Sequence, residues 1–192
     1  MSDRAEQLHT VADTQVAGLI EVMSGADEDA LYRPCPGREK LGDGTIGANA
    51  AHTALNYRRI GTFVAAGQAT SSRPGHGQQR HRSRGFLRVL GHARPAHGPT
   101  GADRHEDGFA AEDLDRREVV ARLAAAREDL ARIAELTDEQ LDSVPAKDSF
   151  RFCDGKRTLE QVLLGLLKHQ DHQVQALQAA LTQTAPSGLP ES

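Results

Sequence analysis

Tryptophan is absent from this chain, and Phe and Tyr together make up only 4% of its 192 residues. A sandwich or barrel draws its strands from aromatic and β-branched residues, so this scarcity turns the reading toward helices packed through Leu, Val, Ile and Ala. Only two cysteines occur, Cys35 and Cys153, far apart in Pro-Cys-Pro and Phe-Cys-Asp-Gly contexts. Two distant cysteines are expected to be free thiols rather than a disulfide framework, and neither is assigned a role. No run approaches the roughly 18 apolar residues of a spanning helix, and the start, MSDRAEQLHT, lacks the apolar centre of a signal peptide. The expectation is a soluble, cytoplasmic protein with no membrane partner. Lysine and acidic residues are missing from 69–102, which nonetheless holds six arginines (Arg73, Arg80, Arg82, Arg84, Arg88 and Arg94). The net charge of −4 is therefore +6 in that stretch and −10 over the rest.

What is present is helical periodicity. Leu8, Ala12, Val16, Leu19, Ile20 and Met23 place one apolar face on a first helix over about Arg4 to Met23, closed by Ser24-Gly25. Ile46, Ala50, Thr53, Tyr57, Ile60 and Val64 follow a 4-3-4-3-4 spacing, which predicts a second helix from about Thr45 to Ala66. A third, from about Asp115 to Leu136, carries Val119, Leu123, Ala126, Leu130 and Ile133. Thr137-Asp-Glu-Gln140 then reads as a capping box opening a short turn before Pro145. A second such box, Thr158-Leu-Glu-Gln161, opens the fourth long helix, with Leu159, Val162, Leu163, Leu166, Leu167, Gln170, Val174, Leu177 and Leu181 on its buried arc. The expected class is all-α: a four-helix bundle in a single domain spanning 1–192, with a long crossover connection between the second and third helices.

That connection contains an irregular Arg/Gly/His-rich insertion at about 69–112, whose one short apolar stretch is Gly85–Leu90. Three readings compete for it. Its six guanidiniums could neutralise nucleic-acid phosphates over 69–102, although Phe86 is the only aromatic there for base stacking. Its histidines, His76, His81, His92 and His97 with His105 beyond them, could form a metal tract, but their spacings of 5, 11, 5 and 8 match no compact ligand motif. Bland irregular sequence, or an out-of-frame translation of a GC-rich gene, accounts for the same composition.

Four further histidines, His9, His52, His169 and His172, lie on the helices. At 100° per residue from Val162, the buried arc of the fourth helix runs from about 40° to 120°. His169 falls near −20° and Gln173 near +20°, both at its edge, whereas His172 near −80° points toward solvent. His52 lines up with Asn56, Arg59 and Phe63 on the flank of the second helix. His52, His169 and His172 could form a three-imidazole site for zinc or nickel with a position left for water. The i,i+4 partner of His169, however, is Gln173, and a neutral amide is a poor ligand for either metal. The alternative is that these side chains hydrogen-bond to one another at the end of the bundle.

Gly42-Asp-Gly-Thr-Ile-Gly-Ala-Asn-Ala-Ala-His52, together with Arg157-Thr-Leu-Glu-Gln-Val-Leu-Leu-Gly-Leu-Leu-Lys-His-Gln-Asp-His-Gln-Val-Gln-Ala-Leu177, resembles the DinB/YfiT-like proteins and the related actinobacterial enzymes that use mycothiol. The resemblance extends over helices 1 and 2 and from about Asp113 to Leu181, leaving out the arginine-rich connection. It implies a four-helix bundle with a right-handed crossover, often a homodimer, and a divalent metal held by one His of the second helix and two of the fourth. His52 and His169 match two of those positions. The third falls on Gln173, with His172 as the nearby substitute. By resemblance the chain is a metal-dependent enzyme of transferase or hydrolase type acting on a small molecule, with mycothiol or another low-molecular-weight thiol as cosubstrate. The alternative carried beside it is a non-catalytic, metal-free bundle acting through dimerisation or a partner.

Overall fold

The computed structural model describes residues 2–39, 41–71 and 114–182. The predicted insertion beyond residue 71, with its arginines, its five histidines and Gly85–Leu90, lies outside them.

The described residues are all-α, with no strand and one isolated bridge between Pro34 and Thr45. Five α-helices occur among them: α1 (Asp3–Gly25), α2 (Ile46–Ser71), α3 (Arg116–Leu130), the short α4 (Asp138–Asp142) and α5 (Leu159–Thr182). Short 3-10 turns occupy Glu28–Tyr32 and Ala131–Ile133. No helix among the described residues is long and apolar enough to cross a membrane.

Each helix starts where a side chain can satisfy its first free amide groups. Ser2 accepts from the Ala5 amide, Thr45 from Ala48, and Asp115 from Glu118. Both capping boxes form reciprocally. The Gln140 side chain accepts from the Thr137 amide while the Thr137 hydroxyl accepts from the Gln140 amide, and Thr158 and Gln161 repeat the exchange at α5.

The third helix departs from expectation. It ends at Leu130 rather than continuing to Leu136, and the chain tightens into the turn at Ala131–Ile133. Leu130, Ile133 and Leu136 are spaced by three residues, the period of a 3-10 helix, so the apolar stripe stays buried after the α-helical bonding has ended.

The core is aliphatic, as the composition required. Val119, Leu123, Ala126, Leu130 and Ile133 are all fully buried, and so is the whole stripe of α2 from Ile46 to Val64. Tyr57 is the only aromatic residue among the fully buried core side chains described. Its hydroxyl donates to Gln15 of α1 at 2.9 Å, and the Gln15 amide reaches the Leu167 carbonyl and Asp171 of α5. One polar chain thus ties three helices together. Burial, with Asp171 nearby, pushes the Tyr57 hydroxyl well above its ordinary range, so it stays a donor.

Cross-helix pairs give the running directions. Arg4 meets Glu160 and Gln15 meets Asp171, so α1 and α5 run the same way. Asp13 pairs with Arg127 while Arg116 reaches the Ala26 carbonyl, so α3 runs against α1. Thr53 faces Gln173 and Phe63 stacks on Phe150 just before α5, so α2 runs against α5. It follows that α2 and α3 run in the same direction. They approach closely at Gly61, where an added Cβ would lie 2.7 Å from both the Cβ and the carbonyl oxygen of Asp129.

Candidate functional site

The groove between α2 and α5 begins as a line of polar side chains on the buried face of α2. The Asn49 amide donates to the Thr45 carbonyl, and the Thr53 hydroxyl donates to the Asn49 carbonyl at 2.8 Å. That hydroxyl also faces Oε1 of Gln173 at 3.4 Å. With its oxygen turned toward Thr53, the Gln173 carboxamide directs its nitrogen at Nε2 of His169, 3.1 Å away. A carboxamide can donate to or accept from an imidazole nitrogen, so this contact suits a neutral imidazole in either tautomer. Burial, then the guanidiniums of Arg151 and Arg38 and the imidazoles of His172 and His52, hold His169 below its ordinary pKa and favour that neutral form.

The positions read from the helical wheel fall where it put them. Gln173 is buried, His169 and His52 are half-buried at the groove edge, and His172 is exposed. His52 and His169 come close enough to influence each other electrostatically. His172 contributes its carbonyl, which accepts from Arg38 at 3.4 Å. No group of three His, Cys, Asp or Glu side chains that could hold a metal occurs among the described residues. The donor chemistry is consistent with this. The third position offers an amide, and that amide is bonded to the imidazole nitrogen a metal would need, so the residues present do not fit the three-imidazole centre.

One turn along, toward Phe63 and Phe150, Asn56 and Gln170 occupy the level next to Thr53 and Gln173 on the two antiparallel helices. Nδ2 of Asn56 and Oε1 of Gln170 are both buried without a partner. This donor and this acceptor continue the polar line of Asn49, Thr53 and Gln173 alongside His169.

The loop before α5 supplies the outer wall. Phe63 stacks on Phe150 with ring centroids 4.6 Å apart, and the Phe152 ring meets His169 edge-on at 6.1 Å. The guanidinium of Arg151 lies 5.3 Å from the centre of the Phe152 ring. Phe152 adopts φ 69°, a left-handed conformation that is strained for a bulky aromatic residue. Hydrogen bonds from the Asp148 amide to the Cys153 carbonyl and from the Cys153 amide to the Phe150 carbonyl hold the loop in this shape. Helical periodicity could not indicate these residues. A compositional signal did exist: two of only five phenylalanines flank Arg151. Cys153 and Cys35 are buried free thiols, and burial pushes the Cys35 thiol up, away from the reactive thiolate.

Compared with known proteins, the chain matches no family model, no curated protein and no solved structure.

Proposed function

We propose that the chain is a DinB-like four-helix bundle, with α1, α2, α3 and α5 as its long helices and a crossover between α2 and α3, and that it acts by binding a small molecule rather than through metal chemistry. The order of helix directions supports the bundle, because neighbouring helices that run the same way need a connection returning along their length. The metal-free reading rests on one observation, the bond between the Gln173 carboxamide and Nε2 of His169. This pair occupies with an internal hydrogen bond the place where the resemblance would put two metal-ligating imidazoles.

A second reading, a zinc- or nickel-dependent transferase or hydrolase using a thiol such as mycothiol, is favoured by the closeness of His52 to His169. Metal analysis of the purified full chain separates the two. The metal-free reading expects far less than one equivalent of zinc or nickel, and uptake of about one equivalent after Gln173→His, which supplies the missing imidazole. About one equivalent in the unmodified chain, lost on His52→Ala, would establish the metalloenzyme instead.

A further inference from the structure

Around His169 the described residues combine fixed positive charge with a strained aromatic residue, and among them no acid is paired with that charge. The guanidinium of Arg38 is held at the carbonyl of His172, a backbone group that leaves its charge uncompensated. The guanidinium of Arg151 lies over Phe152, also without a carboxylate among the described residues. Two acidic side chains nearby in the sequence are engaged elsewhere: Glu39 accepts from the Gly37 amide, and Asp154 accepts from the Lys156 and Arg157 amides. His169 is flanked by the Phe152 ring that Arg151 covers and by the Gln173 amide, and lies one turn before the His172 carbonyl that holds Arg38. The guanidiniums of Arg151 and Arg38 both act on His169. Such a concentration is unusual in a chain that carries −10 outside residues 69–102.

A guanidinium that gives only a weak backbone hydrogen bond, or stacks on a ring, keeps N–H donors available for an oxyanion, and Arg recognises carboxylate and phosphate geometry well. The left-handed backbone at Phe152 is strained for a bulky residue, and its retained geometry sets an apolar ring edge beside those donors. The geometry points to a binding site for a small organic oxyanion, a carboxylate or phosphate on an apolar body. The charged end would bridge Arg38 and Arg151 across His169, and the body would lie along Phe152.

This inference rests on the metal-free reading, since a metal at His52 and His169 would itself attract the anion. The test is calorimetric titration of the full chain with benzoate and with inorganic phosphate, in chelator, at low salt. Benzoate is expected to bind, phosphate to compete with it, and uncharged benzyl alcohol to bind much more weakly. Arg38→Gln and Arg151→Gln should each weaken benzoate about tenfold or more, whereas Arg117→Gln, which removes the same charge from the exposed face of α3, should leave it unchanged. Phe152→Gly should weaken benzoate and leave phosphate nearly as it was. Unaltered thermal unfolding of the arginine variants confirms that the folded state is being compared. The inference is overturned if neither anion binds the metal-free chain, or if all three arginine variants weaken binding equally. Binding that appears only after zinc is added and is lost in chelator overturns the metal-free reading as well.

Discussion

Gly61 and Gly165 both lie within long helices, so helix propensity predicts the same gain, about 1 kcal/mol, when either becomes alanine. Their surroundings predict opposite outcomes. At Gly165 an added Cβ meets nothing within 4 Å. Gly165→Ala should therefore keep most of the propensity gain, raising the melting temperature by about 2–4 °C for a chain of this size. At Gly61 the Cβ would lie 2.7 Å from the Asp129 carbonyl oxygen and 2.8 Å from its carbonyl carbon, and backbone atoms cannot swing aside. Ordinary carbon contacts lie near 3.5–4.0 Å, so α2 and α3 would have to separate by roughly 1 Å. That separation loosens the contacts of Ile60, Val64 and Leu130, all fully buried. Overpacking of this kind costs about 1–3 kcal/mol, and contact with rigid backbone places it at or beyond the upper end. After the propensity gain is subtracted, Gly61→Ala should lose about 2 kcal/mol or more, a fall of at least roughly 4–8 °C. Thermal unfolding followed by far-ultraviolet circular dichroism measures both variants, with urea titrations to verify a constant denaturant slope. Equal stabilisation by the two substitutions would refute the close approach of α2 to α3.

Two further perturbations probe the polar ties between helices. Tyr57→Phe removes the hydroxyl that donates to Gln15 and leaves that half-buried acceptor without it, so it should cost about 1 kcal/mol in a urea titration, and an unchanged midpoint would contradict the bond. Arg127 holds Asp13 below the ordinary carboxylate range, so the contribution of this pair is present above the unfolded-state pKa of about 3.9 and is lost as pH falls through the lower folded value. Asp13→Asn should accordingly lower the melting temperature slightly at neutral pH and converge with the parent chain in strong acid, whereas a pH-independent gap would reject the assignment.

The long helices were legible because apolar spacing reports directly which face is buried. Val119 to Ile133 and Ile46 to Val64 all lie in the core as their periodicity required. The capping boxes were equally legible, since each depends only on residues three apart. The end of α3 was not, because a spacing of three satisfies either the last α-helical turn or a 3-10 turn, and only the backbone bonding chooses between them. At the groove, the wheel placed His169, His172 and Gln173 correctly relative to solvent, since angle around one helix is a local property. Arg38, Arg151 and Phe152 were invisible to it. They sit on connections, where position depends on turns and on a left-handed residue rather than on a repeat. The approach at Gly61 was hidden for a related reason: a glycine in a helix does not reveal which neighbour needs its missing Cβ.

The common direction of α2 and α3 has a consequence for the size of the protein. Arg116, at the start of α3, reaches the Ala26 carbonyl at the far end of α1, whereas α2 finishes at the opposite end, beyond the stack of Phe63 on Phe150. The chain must therefore travel back by about the length of α2, whose 26 residues at 1.5 Å each span roughly 39 Å. Extended backbone covers that distance in about a dozen residues. The sequence devotes more than three times as many to it, so reach alone sets a minimum far below the present length, and most of that segment is surplus to the geometry of the helices it joins.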